Sequence, residues 1–159
     1  MKHLPKHLRP RWRYLAVGLE SWPDAAIGRR AFQRALWYSA GNLLGDAGSA
    51  DADLTLLSFA HADGTGEAVV RARHGHVDEA RAAVACVSEV DGEPVGTLVR
   101  GISGTVRACE ERYMGRATAS STQRDVAFGG SERPAVVRGD ACDVETESDR
   151  VGATTFDTE

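Results

Sequence analysis

Apolar and polar positions follow regular patterns over the first 115 residues, and these patterns predict four strands and three helices. Alternating or continuous apolar runs predict strands at residues 14–20, 54–61, 67–73 and 95–102. Apolar residues at helical spacing predict helices at residues 25–44, 77–90 and 105–114. An Asp63-Gly64 pair predicts a tight hairpin turn between the second and third strands. The order of elements is therefore β-α-β-β-α-β-α.

This order predicts an α+β domain with a ferredoxin-like split βαβ fold, that is, βαββαβ plus a C-terminal helix. Right-handed crossovers close it as an antiparallel four-stranded sheet with helices on one face. We expect the domain at residues 14–115, after a basic N-terminal arm at residues 1–13. Within it, Gly45 is expected to end the first helix, and residues 46–53 to form an acidic loop.

The pattern stops after residue 115. Residues 116–159 are acidic and rich in Gly, Ser and Thr, so they offer few apolar side chains to offset the entropy of ordering. We therefore predict a disordered tail. Two short apolar islands, Val126–Phe128 and Ala135–Val137, leave open that part of the tail docks on a surface.

The distribution of charge changes what the net charge indicates. A net charge of -4 argues against nucleic-acid binding, because neutralising phosphates requires Lys and Arg. However, residues 1–116 carry 15 basic and 14 acidic residues, and residues 117–159 carry 4 basic and 9 acidic residues. The arm alone has five basic residues and no acid, with Trp12 and Tyr14 nearby for base stacking. This favours phosphate contact over a merely solvated terminus.

Several classes of protein are disfavoured by the sequence. No apolar run reaches 18 residues, and no apolar segment follows the basic start, so neither a membrane span nor a secretory signal is expected. The three cysteines are far apart, which favours a reducing, cytoplasmic compartment. His74-Gly-His76 lacks further metal ligands, and no catalytic triad or carboxylate pair stands out. We expect neither a bound metal nor a catalytic residue in this chain.

Two further features could contact RNA besides the arm. A Gly-rich strand-to-helix junction at residues 100–107 would offer N–H groups and a positive dipole to an anion, although it could be an ordinary turn. Arg71 and Arg73 share one face of the third strand, which could equally be plain solvent-exposed surface. The candidate RNA-binding residues are Lys2, Lys6, Arg9, Arg11, Arg13, Tyr14, Arg71, Arg73, Arg100, Ser103, Gly104, Thr105 and Arg107.

Segments from the start, middle and end of the first 115 residues together resemble the archaeal ribonuclease P protein component 2 family. They read MKHLPKHLRPRWRYLAVGLE, ALWYSAGNLLGDAGSADADLTLLSF with AVVRARHGHVDEARAAVACV, and GISGTVRACEERYMG. The opening motif is carried by Lys2, Leu4, Pro5, Leu8, Arg9, Arg13 and Tyr14, and the closing one by Ser103, Gly104, Thr105, Arg107 and Cys109. Ala108 and Glu110-Glu111 depart from the more basic family pattern. The acidic remainder resembles extensions in salt-loving archaea, and we expect such a source.

The resemblance implies a protein subunit of ribonuclease P, the ribonucleoprotein that removes the 5′ leader from precursor tRNA. It implies that the RNA subunit is the catalyst and requires Mg²⁺, while this chain binds no cofactor and supports the RNA. The implied partners are the ribonuclease P RNA, protein component 3 by direct pairing, the other protein components, and precursor tRNA as substrate.

Two alternatives remain open. One is an ACT-like small-molecule-binding regulatory domain, which shares the βαββαβ topology, and the other is a protein-interaction module without RNA. The basic arm favours the ribonucleoprotein, since an amino-acid sensor has no need of one.

Overall fold

The computed structural model describes residues 3–115 and 121–158. The chain divides into two compact units, Met1–Arg116 and Ala117–Glu159. The first contains β1 (Trp12–Ser21), α1 (Arg29–Ala52), β2 (Thr55–Ala62), β3 (Thr65–Arg73), α2 (Val77–Ala85), β4 (Glu89–Val90), β5 (Glu93–Ser103) and α3 (Val106–Tyr113), with single 3₁₀ turns at Lys6–Leu8 and His74–His76. The second contains β6 (Thr122–Phe128), β7 (Ser131–Arg138), β8 (Ala141–Glu145) and β9 (Arg150–Thr154).

The first unit has the predicted α+β class, built around one antiparallel sheet in the order β2-β3-β1-β5-β4. The long strands follow the split βαβ arrangement, so the ferredoxin-like prediction is confirmed. The sheet has five strands rather than four. The prediction that the second helix reaches residue 90 is wrong, because α2 ends at Ala85 and β4 pairs with β5. Asp91 and Gly92 join these strands with positive φ angles of 50° and 84°, as a type I′ hairpin requires.

One face of the sheet packs against α1 and α2. Leu15 and Val17 of β1 lie opposite Val70 and Ala68 of β3, and all four are buried. The ring of Phe32 in α1 stacks on Phe59 of β2 at a centroid distance of 5.5 Å. The two helices are joined by a hydrogen bond of 2.6 Å from the Ser39 hydroxyl to the Ala83 carbonyl. Removal of this apolar surface from water is the main term that stabilises the fold.

The other face of the sheet carries α3. Cys109 packs against Ala16 and Val69, which are neighbours across the β1–β3 ladder and point away from α1. Tyr14 and Tyr113 extend this small core. The expected placement of the helices on one face therefore holds for α1 and α2 but not for α3.

The bounds of α1 differ from the prediction at both ends. The helix begins at Arg29 after an extended Gly28, and it continues to Ala52 through the segment expected to be an acidic loop. Gly45 interrupts it with a φ of 71°, a conformation that favours glycine, so two helical stretches meet there. Ala52 is fully buried, which anchors the second stretch. Among the helices of residues 3–115 and 121–158, none is both long and apolar enough to cross a membrane.

The second unit differs from the predicted disordered tail. Its four strands form an antiparallel meander in the order β6-β7-β8-β9. One face carries a cluster of apolar side chains, namely Val126, Phe128, Ala135, Val137, Cys142, Val144 and Ala153. Gly129 and Gly130 turn the first hairpin with φ angles of 62° and 81°. Each strand contributes only a few apolar residues, and they make a core only when the four strands pair.

Candidate functional site

The basic arm is exposed along most of its length. Lys2 lies outside the described residues, whereas Lys6, Arg9 and Arg11 are all exposed. The Arg9 Nε donates to the Leu4 carbonyl at 3.0 Å, which holds the backbone in a compact turn. The N–H of His74 donates to the Arg11 carbonyl at 3.0 Å and fixes the end of the arm beside β3. The arm therefore presents its cations to solvent at a defined place on the first unit.

Arg71 and Arg73 stack on an indole ring next to the arm. Their guanidinium carbons lie 3.9 and 4.8 Å from the ring centroid of Trp12. Arg71 also donates to the Thr55 hydroxyl at 3.3 Å, and Arg73 pairs with Asp53 at 3.4 Å. The two arginines and the indole thus engage one another through cation–π contacts, and all three side chains remain partly exposed.

Arg100 is turned inward. It forms an ion pair with Glu67, and the two side chains are only 18% and 23% exposed. The guanidinium lies over Gly18, where a side chain would meet its Nε at 2.9 Å. Glu67 also accepts a hydrogen bond from the N–H of Gly115 at 3.0 Å. These contacts fasten the end of α3 to the sheet, so Arg100 serves the packing of the first unit rather than an open surface.

A depression of about 500 Å³ lies at the start of α3, and we call it the α3 pocket. Its lining comprises Arg13, Ile102, Ser103, Gly104, Thr105, Ala108 and Arg112. The Thr105 Oγ1 caps the helix by accepting from the N–H of Ala108 at 3.2 Å. The Arg13 guanidinium passes over Gly104, 3.2 Å from where a side-chain carbon would stand. The pocket thus brings together Arg13, from the arm, and four residues of the Gly-rich junction.

Two other candidate residues lie outside this pocket, whereas the charged lining residue Arg112 is absent from the predicted set. Arg107 points into solvent and pairs with Glu111 at 2.7 Å. Tyr14 is half-buried, and its carbonyl accepts a weak hydrogen bond from the Cys109 thiol. Arg112 lines the pocket because it stands one helical turn after Ala108. That i,i+4 spacing on a helix starting at the junction is the signal that could have identified it.

In the first unit, two groups that do not line the pocket have shifted pKa values. Burial, followed by the nearby charge of Glu110, raises the pKa of the Cys109 thiol. Burial lowers the pKa of His61, whose ring nitrogen lies 2.9 Å from the Ser21 hydroxyl. Both shifts favour the neutral form of the side chain. Within the described ranges, no three His, Cys, Asp or Glu side chains are grouped so that they could hold a metal ion.

Three large apolar side chains are exposed on α1. Trp37, Tyr38 and Leu43 are 52%, 74% and 47% exposed. Tyr38 and Leu43 border a depression of about 720 Å³ between α1 and residues 86–92. An ion pair of 3.2 Å between Arg34 and Asp91 connects its two sides. Tyr38 and Leu43 thus expose apolar surface beside a depression that is rimmed by charged residues, which is typical of a protein-binding surface.

Comparisons with known proteins cover the whole chain. The model of the Rpp14/Pop5 family matches residues 13–114. The chain is 80% identical over 159 residues to ribonuclease P protein component 2 of Halorubrum lacusprofundi, covering all of both chains. It is 63% identical over 157 residues to the protein of that name from Natronomonas pharaonis, covering 99% of this chain and 98% of the relative. A chain of yeast ribonuclease MRP, solved by cryo-EM, aligns with a TM-score of 0.46 at 19% identity, covering 61% of this chain and 76% of that one.

Proposed function

The chain belongs to the Rpp14/Pop5 family and is a protein subunit of ribonuclease P, and from this premise we propose that it binds the RNA of that ribonucleoprotein through the basic arm and the α3 pocket. It is thereby part of an endoribonuclease holoenzyme that processes tRNA, and its close homologues are haloarchaeal. In the proposal the RNA subunit and its Mg²⁺ carry out removal of the 5′ leader from precursor tRNA. This chain contributes by holding the RNA.

The observation that carries the proposal is the row of cations leading into β1. Lys6, Arg9 and Arg11 are exposed, and no acidic residue occurs before Glu20. Arg13 continues the row into the α3 pocket. Cations in such a row displace the counterions that surround nucleic-acid phosphates, which drives binding and makes it salt-dependent. The stacked Arg71 and Arg73 add charge beside the arm.

We further propose direct pairing with ribonuclease P protein component 3. The exposed apolar side chains of α1, Trp37, Tyr38 and Leu43, support this pairing, because their burial by a partner would remove apolar surface from water. The remaining protein components and precursor tRNA complete the set of proposed partners. We propose the cytoplasm as the location of the particle.

The alternative of an ACT-like small-molecule domain is not favoured, since the family model spans nearly the whole first unit.

Reconstitution with the RNA and component 3 tests the proposal. The double variant Arg9→Gln/Arg11→Gln is compared with Arg30→Gln/Arg81→Gln, which removes the same charge from exposed positions on α1 and α2. We expect the arm variant to need more Mg²⁺ for precursor tRNA cleavage. Its RNA affinity should also fall less steeply with salt, by about one unit of log-log slope per cation removed. Equal behaviour of the two double variants would contradict the role of the arm.

A further inference from the structure

We propose that the α3 pocket binds a single phosphate group, and that its occupant in the ribonucleoprotein is a backbone phosphodiester of the RNA. The assignment of an RNA phosphodiester rests on the proposed function, whereas the binding of a phosphate group concerns only this chain. The residues assigned to the phosphate are Ser103, the N-terminal N–H groups of α3, Arg13 and Arg112.

The start of α3 supplies donors. The first N–H groups of a helix have no acceptor within the helix, and its dipole places partial positive charge there. Thr105 satisfies the N–H of Ala108 with its own side chain. The preceding N–H groups, of Val106 and Arg107, belong to the first turn of this eight-residue helix. They suit an anion placed at the helix start.

An unpaired hydroxyl is the independent observation that points to a ligand. Ser103 is only 7% exposed and lines the α3 pocket. In the described part of the chain its Oγ has no hydrogen-bond partner. A buried hydroxyl without a partner destabilises the folded chain, so such groups call for an explanation. A phosphate oxygen in the pocket would accept the missing hydrogen bond.

The charge in the pocket suits a phosphate. Arg13 approaches from β1 and Arg112 from the next turn of α3, so two guanidinium groups line the same depression. No carboxylate among residues 3–115 and 121–158 pairs with Arg13. Gly104 leaves room for the Arg13 guanidinium. Guanidinium N–H groups, backbone N–H groups and a hydroxyl can together donate hydrogen bonds to the several acceptor oxygens of a phosphate.

The position of the pocket favours a phosphodiester over a free anion. Arg13 is the last cation of the arm and the first residue of the pocket, so the exposed row of Lys6, Arg9 and Arg11 ends there. A nucleic-acid backbone that follows the arm would bring one phosphate to the start of α3. The pocket is open to solvent rather than enclosed, which suits a phosphate with chain on both sides of it.

The test uses the full chain titrated with inorganic phosphate, with amide chemical shifts and the melting temperature as readouts. We expect phosphate to shift the amide signals of Ser103, Gly104, Val106 and Arg107. Ser103→Ala and Arg112→Gln should each weaken phosphate binding about tenfold, whereas Arg81→Gln on α2 should leave it unchanged. Ser103→Ala should keep or raise the melting temperature in the absence of phosphate, since it removes an unpaired buried hydroxyl. A purely structural Ser103 would lower the melting temperature and leave phosphate affinity unaltered, which would overturn the proposal.

The RNA half of the proposal is tested in the reconstituted particle. We expect Ser103→Ala to weaken RNA binding several-fold, in the same direction as Arg9→Gln/Arg11→Gln. If the arm variant weakens RNA binding and Ser103→Ala does not, the phosphodiester assignment fails while the proposed function stands. If the wild-type chain does not bind the RNA, the proposed function and the phosphodiester assignment both fail. In that case the phosphate titration still decides whether the pocket is an anion site.

Discussion

The ring of Tyr113 lies directly against the backbone of Gly101, so closely that a side-chain carbon at position 101 would overlap the ring. Gly101 belongs to β5 and Tyr113 is the last residue of α3. The contact allows α3 to pack closely against the sheet. The first residues of α3 then line the α3 pocket. The position of the proposed phosphate site therefore depends on a glycine in the neighbouring strand.

Gly101→Ala should lower the free energy of unfolding by about 1–3 kcal/mol, because the added methyl group must displace Tyr113 from a packed contact. Chemical denaturation measures the change. Gly96→Ala, in the same strand, is the matched control, since its added carbon meets only the Glu20 side chain at 4.0 Å. We expect that control to change stability by less than about 0.5 kcal/mol. Equal losses in the two variants would show that Tyr113 does not depend on the glycine.

Glu67→Gln should destabilise the first unit by about 1–3 kcal/mol, because it leaves the largely buried guanidinium of Arg100 without its carboxylate. Glu111→Gln removes the same charge from the exposed pair with Arg107 and should cost under about 0.5 kcal/mol. Denaturant unfolding of both variants at one salt concentration gives the comparison. The prediction fails if the exposed pair proves as important as the inner one.

Stability should depend on pH through His61. Burial lowers its pKa below the usual value of about 6.5, so the unfolded chain takes up a proton before the folded chain does. The stabilisation from neutral His61 is complete above pH 6.5, and it is lost as the pH falls from there towards the lowered pKa of the folded state. The difference in unfolding free energy between the wild type and His61→Gln, measured across pH 7 to 5, should therefore shrink. A difference that stays constant over this range would contradict the prediction.

The three thiols should react at very different rates. Cys86 is exposed, whereas Cys109 and Cys142 are buried, and burial together with Glu110 raises the pKa of Cys109. The thiolate is the reactive form, so we expect one fast thiol per native chain in a colorimetric thiol assay and two that react only on unfolding. Cys86→Ser should abolish the fast phase. A fast phase that survives this substitution would place a second thiol at the surface.

Amide exchange should distinguish the meander of the second unit from a disordered tail. Strand β7 is paired on both sides, by β6 and β8, so the amides of Val136 and Val137 should exchange at least about tenfold more slowly than those of a random coil. The turn at Gly129 and Gly130 provides an internal comparison with weaker protection. Random-coil rates throughout residues 122–154 would support the tail that the composition predicts.

The elements of the first unit could be predicted from sequence where the signal is local. The continuous apolar run of β1 and the Asp63-Gly64 turn act over a few residues, and they correctly indicate the strand and the hairpin. The two helical stretches around Gly45 could not be predicted, because burial of Ala52 by the rest of the unit outweighs the turn signal. The second unit has no window with a strong pattern, since its core is shared among four short strands.

The candidate site was harder to predict, because the same residue type serves different purposes at different positions. Arg100 and Arg112 are both arginines near the Gly-rich junction. Arg100 pairs with Glu67, which is 33 positions away in sequence, and only the fold brings the two together. Arg112 reaches the pocket through the helical turn that follows Ala108. Sequence spacing can place a charge near a site, but long-range contacts decide whether it faces a ligand or an internal partner.

The connectivity of the two sheets has a consequence for how quickly each can form during synthesis. In the meander every strand pairs with its neighbour along the chain. In the first unit, β1 pairs with β5, which is far away in sequence, as the pairing of Tyr14 with Ser103 shows. Local pairings close within microseconds, and distant ones are slower because a long loop must be ordered first. The second unit follows the first along the chain and emerges from the ribosome after it, and its short hairpins can form as soon as their strands are synthesised. This limits the time that its apolar strands spend uncovered in a crowded, aggregation-prone environment.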